Sequence, residues 1–394
     1  MKSIYLDHSA TTYVKPEVLQ EMLPYFSEKF GNASSVHSYG RDARNAIDVA
    51  RSRVAKALNA EDREIYFTSC ATESDNIALK GFAYANRNKG NHIITTNVEH
   101  HAILHTADYL SKNGFEVTYL PVDEFGLISI EQLNNAITEQ TILVSIMAAN
   151  NEIGTIMPIF EIGKLCKEKG VAFHTDAVQA IGNIAIDVKL NNIDMLSLSG
   201  HKFYGPKGIG ALYVRKGLKF EELQHGGSHE FGKRAGTENV PGIVGLGKAI
   251  EMATSNINLY AAKLQNMRDK LIDGVLNNIP NSRLNGHFER RLPGNANFCF
   301  DYVKGENLLF QLDAKGIAAS SGSACSAGSI DPSHVLLAIG LTPEIANGSL
   351  RLTLGEDNRE EDVDYVLKVL PEIIEKLRET SPLYAEFLKN KKFV

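Results

Sequence analysis

The sequence has few cysteines, no tryptophan and no long hydrophobic run. Its 394 residues include four cysteines: Cys70, Cys166, Cys299 and Cys325. None of them forms a CxxC pair, so we expect neither a disulfide framework nor a cysteine zinc site, and a reducing, cytoplasmic compartment fits best. No apolar run approaches the roughly 20 residues that span a bilayer. We therefore expect a cytoplasmic protein without a membrane partner.

An excess of positive charge is also missing. The chain has 41 Lys and Arg residues against 47 Asp and Glu residues, which gives a formal net charge of −6. A general nucleic-acid-binding protein, or one that binds an anionic membrane, favours the opposite balance. We expect no direct contact with nucleic acid.

Short β-branched runs alternate with helical patterns between about residues 64 and 215. The runs that we interpret as strands are "EIYFT", "HIITT", "EVTYLPV", "TILVSIM", "VAFHTDA", "IDMLSLS" and "GALYVR". The alternation predicts βαβ units and a largely parallel sheet, which binds ligands at the carboxyl ends of its strands. Later in the chain the pattern is that of a smaller α+β unit. We predict an α/β protein with a large domain over residues 15–254 and a small domain over residues 1–14 and 255–394.

Two of these strand ends carry residues suited to a pyridoxal phosphate site. Lys202, in "SLSGHKFYGPKG", follows one strand, and Asp176, in "VAFHTDA", ends another. A desolvated lysine can form a Schiff base, and an anion near the pyridine nitrogen keeps the cofactor protonated. Lys202 could instead be a surface lysine, and Asp176 could be a helix N-cap. The combination of the two favours the cofactor.

The cofactor phosphate needs hydrogen-bond donors, preferably at the start of a helix. The segment "FTSCATESDNIALKGFA" has a strand followed by a helix, with Ala71 and Thr72 at the junction. Their backbone N–H groups and the Thr72 hydroxyl could hold an anion. An ordinary capping box is the alternative, and both can hold at once. Cys70 lies beside this segment, and we expect it to be packed and inert.

These motifs together resemble those of a known family. "YLDHSATT", "TSCATESDN", "EHHA", "NNEIG", "HTDAVQ", "SGHKFYGPKG", "RAGTENVPG" and "SSGSAC" occur in the order found in pyridoxal-phosphate cysteine desulfurases of the NifS/IscS type. These enzymes belong to the class V aminotransferases. The resemblance extends over nearly the whole chain. It implies the fold type I architecture of pyridoxal-phosphate-dependent transferases, with a small C-terminal domain that carries the catalytic cysteine.

The resemblance implies a role for each matching residue. Lys202 corresponds to the Schiff-base lysine, Asp176 to the partner of the pyridine nitrogen, and Cys325 to the catalytic cysteine. His100 corresponds to the imidazole that stacks on the cofactor ring and assists proton transfer. The other implied cofactor contacts are Ala71, Thr72, Asn151, Gln179, Ser199, His201 and Thr237.

Some of these roles concern the substrate or a second subunit. Asn151 and Arg351 correspond to the groups that hold the substrate carboxylate, a task that suits the planar fork of arginine. Thr237 corresponds to a phosphate contact from the neighbouring subunit, which implies a homodimer. No resident metal is expected, although Cys325 could ligate a cluster iron transiently in a complex with a scaffold protein.

The implied reaction converts L-cysteine to L-alanine, with the sulfur left as a persulfide on Cys325 and passed to an acceptor. The acceptor would be an iron–sulfur scaffold or a tRNA-thiolation protein. A cysteine with a pKa near 8.5 is only a few per cent ionised at pH 7, so Cys325 needs help to ionise, and His100 is the candidate. A selenocysteine lyase, a class V aminotransferase or lyase without persulfide chemistry, and a sulfur-carrying scaffold with weak turnover are the alternatives.

Overall fold

The computed structural model describes residues 3–321 and 332–391. Its strands are β1 (Ile4–Tyr5), β2 (Ile65–Thr68), β3 (His92–Thr96), β4 (Glu116–Leu120), β5 (Thr141–Ser145), β6 (Ala172–Asp176), β7 (Met195–Ser199), β8 (Gly210–Val214), β9 (Ser282–Leu284), β10 (Asn295–Phe300), β11 (Ile317–Ala318) and β12 (Ser349–Thr353). The strands β2 to β8 form one sheet in the order β2-β8-β7-β6-β5-β3-β4. The seven strands predicted from the sequence are these seven.

Helices surround the strands. They are α1 (Pro16–Met22), α2 (Pro24–Ser27), α3 (Ser38–Leu58), α4 (Ala71–Asn76), α5 (Phe82–Ala85), α6 (His101–Ser111), α7 (Ile130–Ala136), α8 (Ile159–Lys169), α9 (Val240–Ser255), α10 (Ile257–Asn278), α11 (Gly305–Ala314), α12 (His334–Ala338), α13 (Pro343–Ala346), α14 (Glu360–Glu379) and α15 (Pro382–Lys391). A π-helical turn (Ile77–Gly81) connects α4 to α5. Within the described residues, none of these helices is both long enough and apolar enough to cross a membrane.

The large sheet is mainly parallel, as predicted, with β8 reversed. β8 pairs antiparallel with both β7 and β2, whereas the pairs among β3, β4, β5, β6 and β7 are parallel. A parallel crossover requires a dozen or more connecting residues. The link between β7 and β8, residues 200–209, is shorter than that, so the chain turns back. The same short link carries Lys202.

Apolar residues cover the large sheet on both faces. Ile93 and Leu143 belong to one hydrophobic core, and their neighbours Ile94 and Val144 belong to another. Successive side chains of a strand point to opposite faces, so these two cores lie on opposite sides of the sheet. Because both faces of the sheet are covered, a ligand site is expected at the carboxyl ends of the strands.

A third core lies in the C-terminal part of the chain. It includes Ile4 and Leu6 together with residues of α10, α14, β10 and β12. β1 pairs with β11, with Ile4 opposite Ile317, so the start of the chain packs with its end. The division into domains at residues 14 and 254 stays a prediction: the separate core fits it, whereas Val335, Leu336 and Ile339 pack with a core of the large sheet.

Candidate active site

A cavity of about 350 Å³ lies at the carboxyl ends of β6 and β7. The start of α4 and a turn of the N-terminal segment, with Ser9 and Ala10, complete its wall. The predicted site residues that line it are Ala71, Thr72, His100, Asn151, Asp176, Gln179, Ser199, His201, Lys202 and Arg351. Cys325 lies outside the described residues.

Asp176 and Lys202 come from neighbouring strands. β6 ends at Asp176, which pairs in register with Ser197 of the parallel strand β7. Lys202 follows β7 in a short 3-10 turn. The Asp176 carboxylate accepts a hydrogen bond from the backbone N–H of Val178 at 2.9 Å, and burial raises its pKa to about 6. The chain forms turns and not a helix after β6, so Asp176 caps a turn and is not a helix N-cap.

The Lys202 amine points into the protein. Its Nζ donates hydrogen bonds to the carbonyl oxygens of Ser9, at 2.5 Å, and Ala10, at 2.9 Å. The alternative of a surface lysine is therefore wrong. The Gln179 amide also donates to the Ser9 carbonyl, at 3.0 Å. Sequence reasoning missed Ser9 and Ala10, because their function here depends on backbone oxygens.

The predicted phosphate site lies at the start of a helical stretch. Cys70 is extended, with a φ of −174°, and α4 begins at Ala71 without a side-chain cap from the described residues. Its first backbone N–H groups can therefore bind an anion. The Glu73 carboxylate accepts the backbone N–H of Ser69 at 2.6 Å, a contact similar to a capping box. The geometry is compatible with both interpretations of this segment, and the phosphate site stays a prediction.

Two neutral imidazoles line the cavity. His100 caps α6, because its Nδ1 accepts the backbone N–H of Ala102 at 3.1 Å. Burial, with a smaller contribution from the charge of Lys202, lowers the pKa of His100 to about 4. Burial likewise lowers the pKa of His201 to about 4, and its Nδ1 lies 3.1 Å from the Thr11 hydroxyl. Neither ring carries a charge at neutral pH.

Arg351 places a buried guanidinium at the cavity wall. The side chain is 2% exposed; Nη1 donates to the Asn151 carbonyl oxygen at 3.0 Å, and Nη2 donates to the Asp7 carboxylate at 2.9 Å. Its buried Nε has no hydrogen-bond partner among the described residues. The positive charge of this guanidinium favours a carboxylate in the cavity. The contact with Asp7 was not predicted, because it joins residues from opposite ends of the chain.

Thr237 lies in a different place. It lines a separate cavity of about 220 Å³, together with Ser69, Arg234 and Glu238. Arg234 forms an ion pair with Glu73 at 2.8 Å, which connects this region to the start of α4. Within one chain, Thr237 is therefore not among the residues that line the cavity of Lys202 and Asp176, which we call the main cavity.

Three cysteines lie in the described part of the chain, and two of them are inert. Burial raises the pKa of Cys166 to about 12 and that of Cys299 to about 11, so neither thiol ionises at neutral pH. Cys70 is half-buried and lines the main cavity. The expectation that Cys70 is packed was wrong, because the residue precedes α4 at the cavity wall.

The family model described as "Aminotransferase class-V" matches residues 4–366. The chain belongs to the aminotransferase class-V family. Within it, the chain is 62% identical over 392 residues to "Cysteine desulfurase IscS" of Clostridium botulinum, covering 99% of each chain. It is 60% identical over 382 residues to the protein of the same name from Methanosarcina thermophila, covering 97% of this chain and 94% of that one. These relatives show that the chain belongs to the cysteine desulfurase group of the class-V family.

Solved structures show the same relationship. A structure titled "NIFS-LIKE PROTEIN" has a TM-score of 0.90 and 42% identity, and the match covers 95% of this chain and 100% of that one. A structure titled "SspA in complex with cysteine" has a TM-score of 0.80 and 40% identity, with 89% of this chain and 99% of that one covered. The fold is therefore that of the class-V enzymes, the fold type I architecture.

Pyridoxal phosphate is the cofactor of the class-V family, and the cavity fits it. The uncapped start of α4 suits the phosphate, Lys202 suits the aldehyde, and the buried Asp176 suits the pyridine nitrogen. Asp75 also lines the cavity; it is 1% exposed, and its Oδ1 has no hydrogen-bond partner among the described residues. A cavity wall that contains such an unpartnered, buried carboxyl oxygen favours a polar ligand.

Proposed function

We propose that the chain converts L-cysteine to L-alanine and retains the sulfur as a persulfide on Cys325. The observation that carries the proposal is the single cavity that joins Lys202, Asp176 and Arg351. Full-length relatives named cysteine desulfurase support it. Pyridoxal phosphate, when bound, supplies an electron sink for the negative charge that develops on the substrate Cα.

Two cavity residues bind and deprotonate the substrate. The guanidinium of Arg351 at the cavity wall pairs with the substrate carboxylate, and Asn151 lies beside it. The Lys202 amine, which lines the same cavity, takes the proton from Cα. Asp176, at the end of β6, would face the pyridine nitrogen of the bound cofactor and keep it protonated.

Cys325 receives the sulfur. Its thiolate attacks the substrate Sγ, an S–S bond forms, and the Cβ–Sγ bond breaks with its electron pair going to Cβ, which takes a proton. The neutral His100 ring is the base that accepts the thiol proton. The Lys202 charge is the second cause of its low pKa, so loss of that charge makes His100 more basic.

The function is tested with purified protein supplied with pyridoxal phosphate. We expect a yellow protein that releases alanine and persulfide sulfur from L-cysteine. Cys325→Ala should keep the colour and lose at least about 10²-fold in sulfur release, whereas Lys202→Ala should lose the Schiff-base absorbance. Cys70→Ala is the matched control, because it removes a thiol from the cavity wall and should leave sulfur release intact.

Other results would point to the alternatives. Full sulfur release by Cys325→Ala would reject the persulfide mechanism. Faster turnover of L-selenocysteine with no requirement for Cys325 would favour a selenocysteine lyase. Amino-group transfer without sulfur release would favour an aminotransferase, and a wild-type protein that stays colourless would favour the scaffold.

A homodimer in which each subunit supplies Thr237 to the other's cofactor phosphate is part of this proposal. Thr237 lines a cavity apart from the main one, as a residue that acts across an interface would. Large apolar side chains near the N-terminus are also exposed, which favours a protein partner. These side chains are Leu23, Phe26, Phe30, Val36 and Tyr39.

The sulfur acceptor is a protein, either an iron–sulfur scaffold or a tRNA-thiolation protein, and the location is the cytoplasm. The relatives' name IscS supports iron–sulfur assembly as the first of these. Comparison of the rates of persulfide transfer from Cys325 to each acceptor distinguishes them.

A further inference from the structure

Arg351 already has a carboxylate partner inside the protein. Asp7 Oδ1 accepts from Arg351 Nη2 at 2.9 Å, and the Asp7 side chain is 17% exposed. Arg351 lines the cavity and Asp7 does not, so Asp7 contacts the guanidinium from outside the cavity wall. The positive charge offered to a ligand is therefore partly neutralised before the ligand binds.

The backbone fixes this pair. Asp7 forms a β-bridge with Thr353, two residues beyond Arg351 on β12, and the backbone N–H of Ser9 donates to the Thr353 hydroxyl at 2.9 Å. The Asp7 carbonyl oxygen accepts from the Ala10 N–H at 2.9 Å. These bonds fix the backbone of Asp7 next to β12 and to the turn whose carbonyl oxygens bind Lys202, so its carboxylate starts from a position beside Arg351.

We propose that Asp7, acting through Arg351, keeps the carboxylate affinity of that arginine low, so that product leaves the cavity readily. The inference rests on the proposed role of Arg351 in binding the substrate carboxylate. Substrate and product carry the same carboxylate, so a fully exposed guanidinium charge would hold both of them tightly. Uniformly tight binding lowers KM without raising kcat. A partly neutralised arginine avoids that retention, while its guanidinium still lies at the cavity wall to orient the ligand.

Asp7→Asn tests the proposal, because it keeps an oxygen acceptor for Nη2 and removes the charge. We expect the dissociation constant of L-alanine, measured by spectral titration of the cofactor-loaded enzyme, to fall about tenfold, as one nearby charge at partial screening would cause. Propionate, which has a carboxylate and no amine, should compete about tenfold better. KM for L-cysteine should fall, and kcat should not rise.

Asp357→Asn is the matched control. Asp357 is exposed and also lies beside the N-terminal segment, near His8 and Tyr13. Its loss should leave the binding of L-alanine and propionate unchanged. If Asp7→Asn fails to fold, Asp7→Ser is the second uncharged variant, for which the same tightening is expected.

Unchanged or weaker binding of L-alanine and propionate by the uncharged Asp7 variants would overturn the proposal, because Asp7 would then serve only to orient Arg351. Failure of the proposed function is distinguishable. An enzyme that does not release sulfur from L-cysteine, yet binds propionate more tightly as Asp7→Asn, would retain this inference and lose that function.

Discussion

Carboxyl groups are buried around the end of β6 without enough cations to balance them. Asp75, Glu99 and Asp176 all lie in this region, and burial raises the pKa of each, to about 8 for Glu99 and to about 6 for Asp176. His174 lies 3.7 Å from Asp75, but burial lowers its pKa to about 3, so it is neutral. Lys202 is thus the residue whose positive charge acts most directly on the Asp176 carboxylate.

Asp75→Asn should make stability less dependent on pH. Burial raises the pKa of Asp75 well above its usual value, so the folded protein holds a proton that the unfolded chain loses above about pH 4. The free energy of unfolding therefore falls as pH rises, by up to ~1.4 kcal/mol per pH unit, until the folded pKa is reached. Asn keeps the shape and abolishes this titration.

Thermal unfolding of the cofactor-saturated protein at pH 5 and pH 8 measures the effect. The melting temperature of Asp75→Asn should drop less between the two pH values than that of the wild type. Asp108→Asn is the control, since Asp108 pairs on the surface with Lys112, and should follow the wild type. Equal drops for all three proteins would show that Asp75 is already ionised when folded.

At the scale of elements, the start of α4 depends on how closely β8 approaches it. A Cβ on Gly210, the first residue of β8, would lie 2.7 Å from the carbonyl oxygen of Leu198 and 2.8 Å from the carbonyl carbon of Cys70. Both are backbone atoms, which cannot yield as a flexible side chain does. Gly210 therefore lets the segment before α4 lie directly on the sheet.

Gly210→Ala should weaken the binding of pyridoxal phosphate, because the start of α4 must shift. Overpacking of this kind costs about 1–3 kcal/mol; if that cost falls on the bound state, the cofactor dissociation constant rises roughly 5–160-fold. Gly227→Ala is the control. Its Cβ would lie 3.3 Å from the His229 ring, which is a side chain and not backbone, so the new methyl group can be accommodated. Unchanged cofactor affinity in Gly210→Ala would mean that the phosphate site tolerates movement of this segment.

The sequence predicted which segments form strands better than it predicted which segments pair with one another. The strands of the large sheet were predictable because they are short, β-branched and buried, and Asp176 and Lys202 were predictable because they follow such strands. The reversal of β8 depends on the length of one link. The Cα pairing of Asp7 with Thr353 depends on the folding of both chain ends, which no local pattern reveals.

At the scale of the whole molecule, the site wall is built from both ends of the chain and, by our proposal, from a second subunit. Ser9 and Ala10 hold Lys202, and Arg351 comes from β12. The family motif "YLDHSATT" was a signal for the N-terminal part, but it gave no role to individual residues. The proposed role of Thr237 requires a second chain.

Mixing two inactive variants should restore activity if Thr237 acts across a dimer. Lys202→Ala removes the base from its own cavity, and Thr237→Asp places a negative charge beside the partner's cofactor phosphate. In a mixed dimer, one site has an intact Lys202 and an intact Thr237. Equal mixing should therefore restore about a quarter of wild-type sulfur release, from one site in each of half the dimers.

A mixture of Lys202→Ala with Asp176→Asn is the control, because both residues line the same cavity of one chain. Each site of that mixed dimer lacks one of them, so activity should stay low. Subunit exchange is verified by size and by mass tags. Restored activity in the control would mean that recovery does not report on shared sites. No recovery with Thr237→Asp despite exchange would place Thr237 at the phosphate of its own chain, and full activity of Thr237→Asp alone would remove it from the site.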